Sequence, residues 1–362
     1  MRNCLFYTSC LQHGGTERMV CVYTDYFQKK GCQAYVLTNF RLQKEYKLAD
    51  GVQRFVIGEK IQETSSRIRN YISRIRAIRT ICKEQKIETA IVFARANAVR
   101  FLLATIGLKI RIIVSIRISP EIEFPGGIGS ALVKKLLQRA DGYLFQTIEQ
   151  RDFFGKRIAK KSIVLPNAIE ESFLKGKFPG ERDDRIVTIG RLAFQKNQKM
   201  LIQAFSELAD EFPFSKLVIY GEGDLRDDLY EECERLHIEK RVEMPGEVEH
   251  IADIIWGAGL FVLPSNYEGM PNALLEAMAL GIPVISTDCP CGGPAELIQN
   301  GKNGILIPVG GKKELVEAMR KLLSDAEYSR RLGEAAREVQ NVCSKEKTSE
   351  KLYEYVCKIE KR

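Results

Sequence analysis

The chain has 362 residues, of which 45% are hydrophobic and 28% are charged. This composition excludes an intrinsically disordered chain, and the length predicts two domains rather than a single core. The net charge of +8 is unevenly divided, because residues 1–168 hold 29 Lys+Arg against 13 Asp+Glu, a net of +16, and the remainder carries a net of −8. We therefore expect the N-terminal half to face an anion: a membrane surface, lipid phosphate, nucleic acid or acidic glycan.

The cysteines and histidines do not have the spacing of a metal site. The chain has 10 cysteines, scattered along its length, and 3 isolated histidines. We expect free thiols in a reducing cytosol and no bound metal. The longest apolar stretch, residues 101–118, is interrupted by Lys109, Arg111 and Arg117, which argues against a membrane span. The prediction is a cytoplasmic protein whose membrane contact is peripheral.

Short β-branched and aromatic runs alternate with helical patterns along the chain. The predicted strands are Cys4–Thr8, Ala34–Thr38, Gln53–Ile57, Thr89–Phe93, Arg111–Ile116, Gly142–Phe145, Ser162–Leu165, Arg185–Ile189, Lys216–Tyr220, Leu260–Leu263, Pro283–Ser286 and Gly304–Ile307. This alternation indicates βαβ units and parallel sheets. The pattern restarts after residues 166–167, and the polar segment Glu170–Arg185 is predicted to be a linker. Open α/β sheets bind ligands at the carboxyl ends of their strands, so the site is expected there.

The segment most informative about chemistry is residues 265–281, SNYEGMPNALLEAMALG. It follows a predicted buried strand, and Pro271 and Gly281 suit the first position and the end of a helix. Glu268 would then lie in the loop before that helix. Glu276 would lie on an apolar helical surface, where an unsatisfied carboxylate costs roughly several kcal/mol.

The same segment has the features of an anion site. Asn272 and Glu276 are four residues apart and share a helical face, and free amides at a helix N-terminus attract phosphate. The segment could hold a sugar hydroxyl at Glu268, a diphosphate at the amides and ribose hydroxyls at Glu276. The alternative is an ordinary surface helix.

A second candidate cluster, GRLAFQKN, follows the first strand of the second half. Gly190 would let the backbone approach a ligand, and Arg191 and Lys196 would place two cations at the carboxyl end of the strand. Such cations could neutralise a leaving diphosphate. By itself the cluster is weak evidence, because basic residues after a strand are common and usually solvated.

Two glycine turns are less specific. Gly14 and Gly15 lie between the first strand and the first helix, where they could admit a phosphate or simply form a tight turn. The sequence Gly221-Glu222-Gly223 follows another strand, but it lacks the third glycine and the later acidic residue of a dinucleotide fingerprint.

Together these motifs resemble glycosyltransferase family 4. The segment from Glu268 to Glu276 has the E-x7-E form of retaining GT-B glycosyltransferases. Further similar stretches are GGTERM, LPNAI, YGEGDLRDDL, VEMPGEV and NGKNGILIPVGG. The resemblance covers nearly the whole length and is more specific in the second half. It implies an α/β GT-B fold, with two doubly wound Rossmann-like domains facing across a cleft.

The resemblance also implies domain roles. Residues 1–168 would bind the acceptor, residues 169–344 would bind the nucleotide sugar, and residues 345–362 would form a helix packing back on the first domain.

The resemblance assigns site residues as well. Arg191 and Lys196 would bind the donor diphosphate, Glu276 the ribose and Glu268 the transferred sugar, and the stretch Gly246–Glu249 would lie against the base. The remaining donor-binding candidates are Gly14, Gly15, Gly190, Glu222, Gly269, Met270, Pro271, Asn272 and Leu275. No Asp-x-Asp pair is present, so activity is expected to be independent of metal, and no cofactor is expected besides the donor, which is expected to be UDP-linked.

The acceptor side departs from the family pattern. Many members carry a histidine near the end of a first-domain strand, but this stretch reads SIRISP, so Arg117 is the candidate there. The segment Arg67–Lys86 is predicted to be an amphipathic helix with its apolar residues at helical spacing. Its cations could be merely solvated, or they could face anionic lipid or the phosphates of a lipid-linked saccharide; the candidates are Arg69, Arg74, Arg76 and Arg79.

The predicted function is a retaining hexosyltransferase that moves a hexose or N-acetylhexosamine from a UDP-sugar to a lipid-linked saccharide or polysaccharide precursor. It would act at the inner face of the plasma membrane and would not bind nucleic acid. Two alternatives remain at this point. One is an epimerase or hydrolase of nucleotide sugars on the same fold, and the other is a non-catalytic nucleotide-binding protein.

Overall fold

The computed structural model describes residues 2–12, 14–62, 64–117 and 119–361. The chain divides into two compact units. Unit 1 comprises the chain up to Ala168 together with the segment from Lys345 onward, and unit 2 comprises Ile169–Ser344. Within the described ranges, no helix is long and apolar enough to cross a membrane.

Unit 1 is built on a seven-stranded parallel sheet with the strand order β3-β2-β1-β4-β5-β6-β7. Its register aligns Cys4 with Ala34 on one side of β1 and with Thr89 on the other. The strands are β1 Asn3–Thr8, β2 Gln33–Thr38, β3 Gln53–Val56, β4 Thr89–Phe93, β5 Arg111–Ser115, β6 Gly142–Phe145 and β7 Ser162–Val164.

Helices cover both faces of this sheet because its strands carry apolar side chains on both faces. They are α1 Gly15–Lys29, α2 Arg67–Glu84, α3 Arg95–Ala104, α4 Pro120–Glu123, α5 Gly127–Leu137, α6 Ile148–Phe153 and α7 Lys156–Ala159. One core joins α2, α3 and the end of α5 to the sheet. The other is built around α1.

Unit 2 has a six-stranded parallel sheet with the strand order β10-β9-β8-β11-β12-β13. The strands are β8 Arg185–Ile189, β9 Lys216–Tyr220, β10 Val242–Gly246, β11 Leu260–Leu263, β12 Val284–Thr287 and β13 Ile305–Ile307. The helices are α8 Gln198–Ser206, α9 Arg226–Arg235, α10 Ile251–Ile255, α11 Asn272–Ala279, α12 Gly293–Leu297, α13 Lys312–Ser324, α14 Ala326–Ala336 and α15 Val339–Val342. Two apolar cores lie in this unit.

The last helix, α16 Lys345–Glu360, returns to unit 1. Its buried residues Leu352, Val356 and Ile359 belong to the core that contains α1. Tyr353 makes an edge-to-face contact with Phe27 of α1, with ring centroids 5.2 Å apart. These contacts place α16 beside α1 as part of the first unit.

The predicted strands are observed within a residue or two of their bounds, and one further strand, β10, is present. Its sequence, VEMPG, contains Pro245, which cannot donate to a sheet ladder. β10 tolerates it because it is an edge strand paired only with β9. Alternate residues of β10 are buried, which is the pattern of a half-covered strand.

The segment predicted to be a linker is instead bound to unit 2. Residues Glu171–Phe173 form a 3₁₀ turn, and Phe173 is buried in a unit 2 core. Arg182 donates to the carbonyls of Trp256, Ala258, Leu280 and Gly281 at 2.7–3.2 Å. The Arg182 side chain thus caps carbonyl groups of unit 2, and the segment is not a free linker.

Candidate functional site

Two loops at the carboxyl edge of the unit 2 sheet carry most of the predicted site residues. Residues 190–197 follow β8, and residues 264–271 follow β11. β8 and β11 are adjacent parallel strands, so the two loops begin side by side. The carboxyl edge is where open α/β sheets bind ligands. Folding therefore joins two motifs that lie 72 residues apart in sequence.

Glu268, at this edge, is buried and its carboxylate has two polar partners. It is 5% exposed, and its Oε1 lies 2.5 Å from Lys196 Nζ. The same oxygen accepts a hydrogen bond from Ser265 Oγ at 2.7 Å. A buried carboxylate requires such partners. The ion pair and the hydroxyl therefore fix the orientation of Glu268, and Glu268 in turn fixes the ammonium group of Lys196.

A set of amide contacts holds the two loops together around this pair. Asn266 donates through its backbone N–H to the Gln195 carbonyl at 2.8 Å and through Nδ2 to the Phe194 carbonyl at 2.7 Å. Gln195 Nε2 donates to the Tyr267 carbonyl at 3.1 Å. Asn197 Nδ2 donates to Asn266 Oδ1 at 3.2 Å. Sequence reasoning missed these three amide side chains, and only their position beside the predicted cations could have suggested them.

Arg191 has a different environment from Lys196. Its side chain is exposed, and its guanidinium has no hydrogen-bond or ion-pair partner within the part of the chain that the structure describes. Only its carbonyl is engaged, by Gln198 Nε2 at 2.9 Å. The structure thus leaves one cation of the predicted pair available to a ligand and engages the other with Glu268.

Packing within the protein requires a glycine after β9, at Gly221, whereas Gly190 after β8 is bounded by a flexible side chain. A Cβ on Gly190 would lie 3.0 Å from Lys196 Cε, and a Cβ on Gly221 would lie 2.2 Å from the Gly190 carbonyl oxygen. Gly190 was predicted to admit a ligand, but its neighbour is the Lys196 side chain.

Glu222 lies at the exposed carboxyl edge of β9. It forms an ion pair with Arg226 at 2.8 Å, and a Cβ on Gly246 would lie 2.4 Å from Glu222 Oε1. Gly246 has φ +83°, a conformation that favours glycine. These residues form the edge of the sheet at the ends of β9 and β10.

Helix α11 begins one residue later than predicted. Pro271 precedes the helix, and Asn272 is its first residue. Glu276 is buried within the helix at 9% exposure. Gly281, with φ +70°, follows its end as predicted.

The donor-binding assignment of Leu275 is corrected, because its side chain is 0% exposed and packs in the apolar core of unit 2. Met270 and Pro271 are buried as well, so their side chains shape the base of the loop. The half-buried Gly269 and Asn272 are the more accessible members of this predicted set.

The start of helix α12 supports this loop from behind. A Cβ on Gly293 would lie 1.6 Å from the Gly269 carbonyl oxygen, so only glycine fits there. Cys289 lies close by, and burial, reinforced by the charge of Glu268, raises the pKa of its thiol to about 12. A thiol with so high a pKa is protonated at neutral pH and is not a nucleophile.

The predicted unit 1 glycines form the turn before α1. Gly14 precedes the helix and Gly15 is its first residue. A Cβ on Gly14 would lie 2.5 Å from Glu17 Oε2. Glu17 Oε1 also accepts a hydrogen bond from Thr8 Oγ1 at 3.4 Å, and burial raises the pKa of this carboxyl. The turn therefore accommodates a carboxyl group at the carboxyl end of β1.

Arg117 is buried at 8% exposure just beyond the carboxyl end of β5. It donates to Asn167 Oδ1 at 2.7 Å and to Ser115 Oγ at 3.2 Å. Gln146 Nε2 donates to the same Asn167 oxygen at 2.8 Å. The guanidinium also lies 5.2 Å from the ring centroid of Phe93. Arg117 is thus held in a polar cluster whose other members the sequence did not indicate.

The arginines of α2 separate into two kinds. Arg69 and Arg76 are exposed, and Arg74 is half-buried. Arg79 instead donates to the carbonyls of Ala104 and Ile106 at 2.9 and 2.8 Å. Its assignment to an anionic partner is therefore corrected, because it satisfies carbonyl groups at the end of α3.

The apolar face of α2 reaches the core only in its second half. Ile78 and Cys82 are buried, whereas Ile68, Tyr71 and Ile72 are 74%, 39% and 42% exposed. The first two turns of the helix therefore present apolar and cationic side chains together at the surface.

No group of three or more potential metal ligands is present among the residues for which the structure gives positions.

Comparison with known proteins finds a family model that resembles most of unit 2. Residues 170–339 match the family model described as Glycosyl transferases group 1. An uncharacterised glycosyltransferase of Methanocaldococcus jannaschii is 30% identical over 205 residues, which are 52% of this chain and 50% of the relative. The match thus spans about half the length of that relative.

A second relative is matched over a greater length. It is the N-acetylgalactosamine-N,N'-diacetylbacillosaminyl-diphospho-undecaprenol 4-alpha-N-acetylgalactosaminyltransferase of Campylobacter jejuni. It is 27% identical over 264 residues, which are 68% of this chain and 69% of the relative.

Among solved structures, the Anabaena protein HepE in complex with UDP has a TM-score of 0.82 at 17% identity, with 99% of this chain and 100% of that chain covered. At this identity the likeness establishes the fold alone. The predicted α/β class with two doubly wound domains is confirmed, and it is the fold of GT-B glycosyltransferases. Residues 170–339, which match the glycosyl transferases group 1 model, lie in the second of these domains.

Proposed function

We propose that this protein is a retaining glycosyltransferase that moves a hexose or N-acetylhexosamine from a UDP-sugar to a lipid-linked saccharide or polysaccharide precursor. The observation that carries the proposal is the Lys196–Glu268 ion pair at the carboxyl edge of the unit 2 sheet, beside the N-terminus of α11. The relative from Campylobacter jejuni, by its name, acts on a diphospho-undecaprenol-linked saccharide, and HepE was solved with UDP. Both support the proposal.

The chemistry follows from the charges at this edge. The bond between the anomeric carbon and the diphosphate breaks, and its electron pair remains on the diphosphate oxygen. The oxygen of the acceptor hydroxyl forms the new bond to the anomeric carbon, and its proton passes to the departing diphosphate oxygen. Arg191, Lys196 and the α11 amides stabilise the charge that develops on the leaving group. Glu268 orients the sugar through its hydroxyls, and Glu276 binds the ribose hydroxyls.

Lys196 has a double role in this mechanism. With Glu268 as its partner, its ammonium group is held in place before the donor arrives, so little side-chain entropy is lost when the phosphate binds. The Arg191 side chain has no such restraint, so it would become ordered only when the donor binds. We expect Arg191→Ala to impair donor binding and turnover, and Lys196→Ala to impair chiefly turnover.

The acceptor side of the proposal rests on unit 1. The exposed Ile68, Tyr71 and Ile72 of α2 lie on the same helix as the exposed Arg69 and Arg76. Apolar side chains flanked by cations suit the interface of an anionic membrane. We propose that unit 1 binds the inner face of the plasma membrane through this helix, where a lipid-linked acceptor would be available, and that the protein is otherwise cytoplasmic.

Donor use is tested by thermal melting with UDP-, GDP- and ADP-sugars, followed by turnover with a lipid-linked acceptor. Ligands that bind the native state raise its melting temperature, and we expect UDP-sugars to raise it most. The anomeric configuration of the product, read from its NMR coupling constant, should match that of the donor. Activity should survive EDTA. An inverted product, or activity lost to EDTA and restored by Mg²⁺, would refute the corresponding part of the proposal.

Membrane binding is tested by co-sedimentation with phosphatidylglycerol and phosphatidylcholine vesicles. The variant Arg69→Gln/Arg76→Gln should lose binding to the anionic vesicles. Lys47→Gln/Lys109→Gln, which removes two exposed cations of unit 1 that lie outside α2, is the matched control. Binding indifferent to lipid charge and to both variants would favour a soluble acceptor.

Two other functions use the same fold. An epimerase or hydrolase of nucleotide sugars would convert its donor with no acceptor present, so product formation in an acceptor-free incubation separates it from a transferase. A non-catalytic nucleotide-binding protein would show donor-dependent melting but no turnover with any acceptor. The Lys196–Glu268 pair supports the transferase, because a protein that binds only a nucleotide would not need the carboxylate that we propose for the donor sugar.

A further inference from the structure

An open cavity of about 350 Å³ lies in unit 1 between β7 and α16. One wall is residues 160–163, which include the start of β7. The other is the face of α16 that carries the lining residues between 351 and 359. β7 is the edge strand of the sheet. Because Lys160 and Lys161 precede β7, the cavity lies at the amino end of the strands. The Arg117 cluster lies at the opposite, carboxyl edge of the same sheet.

The cavity is lined by more cations than acids. Its charged residues are Lys160, Lys161, Lys351, Lys358 and a single acid, Glu354. None of the four lysines forms an ion pair with any other residue whose position is described. The nearby Glu360 is already paired with Arg2 at 2.9 Å. The lysines on its two walls give the cavity a positive charge, which a bound anion would neutralise.

Hydrogen bonds of Tyr355, on α16, join the two walls of the cavity. Tyr355 Oη accepts a hydrogen bond from the Tyr143 N–H at 3.0 Å and donates to the Lys161 carbonyl. A Cβ on Gly142 would lie 2.6 Å from Tyr355 Oη and 2.3 Å from Ile359 Cδ1. The lack of a side chain at Gly142 therefore lets α16 approach β6 closely. The lysines thus line walls whose separation is set by these part-buried hydrogen bonds and by the packing at Gly142.

We propose that this cavity is a binding site for a small, multiply charged phosphate anion, of the class of pyrophosphate or a sugar phosphate. Lysine ammonium groups bind phosphate as point charges. Four lysines match a ligand that carries several negative charges better than a ligand that carries a single carboxylate. The site is independent of the proposed donor site, because its lining residues all belong to unit 1.

The test is hydrogen exchange of the full-length protein, read by mass spectrometry at low ionic strength with and without pyrophosphate. Peptides covering residues 156–164 and 351–361 should gain protection, and the effect should weaken with added salt. The variant Lys160→Gln/Lys351→Gln should bind pyrophosphate about tenfold more weakly at these peptides, as expected when two exposed charge contacts are lost. Exchange reports the location of binding, so pyrophosphate bound in unit 2 would be seen in other peptides.

The matched control is again Lys47→Gln/Lys109→Gln, which removes the same charge from unit 1 outside the cavity. In this control variant, pyrophosphate should protect residues 156–164 and 351–361 from exchange as it does in the wild type. Equal loss in both variants would show a general charge effect and overturn the proposal, as would absence of protection in the wild type. Protection by phosphatidylglycerol vesicles but not by pyrophosphate would overturn the assignment to a free anion and point to a lipid headgroup.

Discussion

The ion pair between Lys196 and Glu268 makes the most direct prediction. Their side chains are 19% and 7% exposed, and the charged atoms lie 2.5 Å apart. Among the residues that the structure describes, Lys196→Met leaves the buried Glu268 carboxylate with the Ser265 hydroxyl, at 2.7 Å, as its remaining hydrogen-bond partner. Glu268→Gln removes the opposite charge while keeping the shape of the side chain.

The structure sets the size of the effect. Breaking a fully buried pair by removing one partner costs about 3–5 kcal/mol, and an exposed pair is worth about 1 kcal/mol or less. Because Lys196 keeps some contact with water, we expect each single substitution to cost about 2 kcal/mol. For a unit of this size, that lowers the melting temperature by about 4–8 °C. The double variant should be less unstable than the sum of the singles, with a coupling of about 1–2 kcal/mol.

The assay combines urea unfolding of wild type, both single variants and the double variant with initial-rate turnover. Turnover should fall by about a hundredfold or more in each single variant, because a contact to developing charge is lost. The double variant should recover stability but not turnover. Additive losses of stability would refute the ion pair, and recovery of turnover in the double variant would refute its catalytic role.

Three further predictions concern other parts of the chain. Glu276→Gln should weaken binding of the nucleotide sugar by about tenfold or more while the melting temperature changes little; unchanged binding by calorimetry would contradict the ribose assignment. Arg79→Gln should destabilise unit 1 by about 1–3 kcal/mol, because the carbonyls of Ala104 and Ile106 lose their donor, whereas Arg76→Gln, at an exposed position, should be nearly neutral in thermal melting. The Arg54 guanidinium, 2.5 Å from Glu45, lowers the pKa of that carboxyl from 4.5 to about 2. The stability it contributes is therefore complete above about pH 4.5 and is lost as pH falls toward 2, so Arg54→Gln should flatten the acid limb of a urea-unfolding series, and an unchanged limb would contradict the pairing.

Most of the fold could be predicted from the sequence because its determinants are local. Buried parallel strands are short β-branched runs, as in Thr89–Phe93 and Leu260–Leu263, and both are observed at the predicted bounds. Glycine after a helix is equally local, and Gly281 adopts the positive φ that its position requires. β10 was missed because Pro245 argues against a strand unless its edge position is known, and that position is a property of the whole sheet.

The candidate site was predictable as a set of residues but not as an arrangement. The E-x7-E spacing and the GRLAFQKN motif named Glu268 and Lys196, yet nothing in the sequence states that these two side chains meet. Their pairing depends on β8 lying next to β11, which only the sheet order decides. The same holds for Leu275, whose apolar side chain turns into the core, and for Arg79, which finds carbonyl groups on α3 instead of solvent.

Local pattern therefore determined which segments are strands and helices and which residue types could carry the chemistry. The tertiary structure decided which of those residues are buried, paired or exposed. The physical reason is that backbone propensity acts over a few neighbouring residues, whereas burial, ion pairing and cavities arise between segments brought together by packing. The cavity between β7 and α16 is the clearest case, because its four lysines come from segments nearly two hundred residues apart, as the contact between Tyr355 and Lys161 shows with its separation of 194 residues.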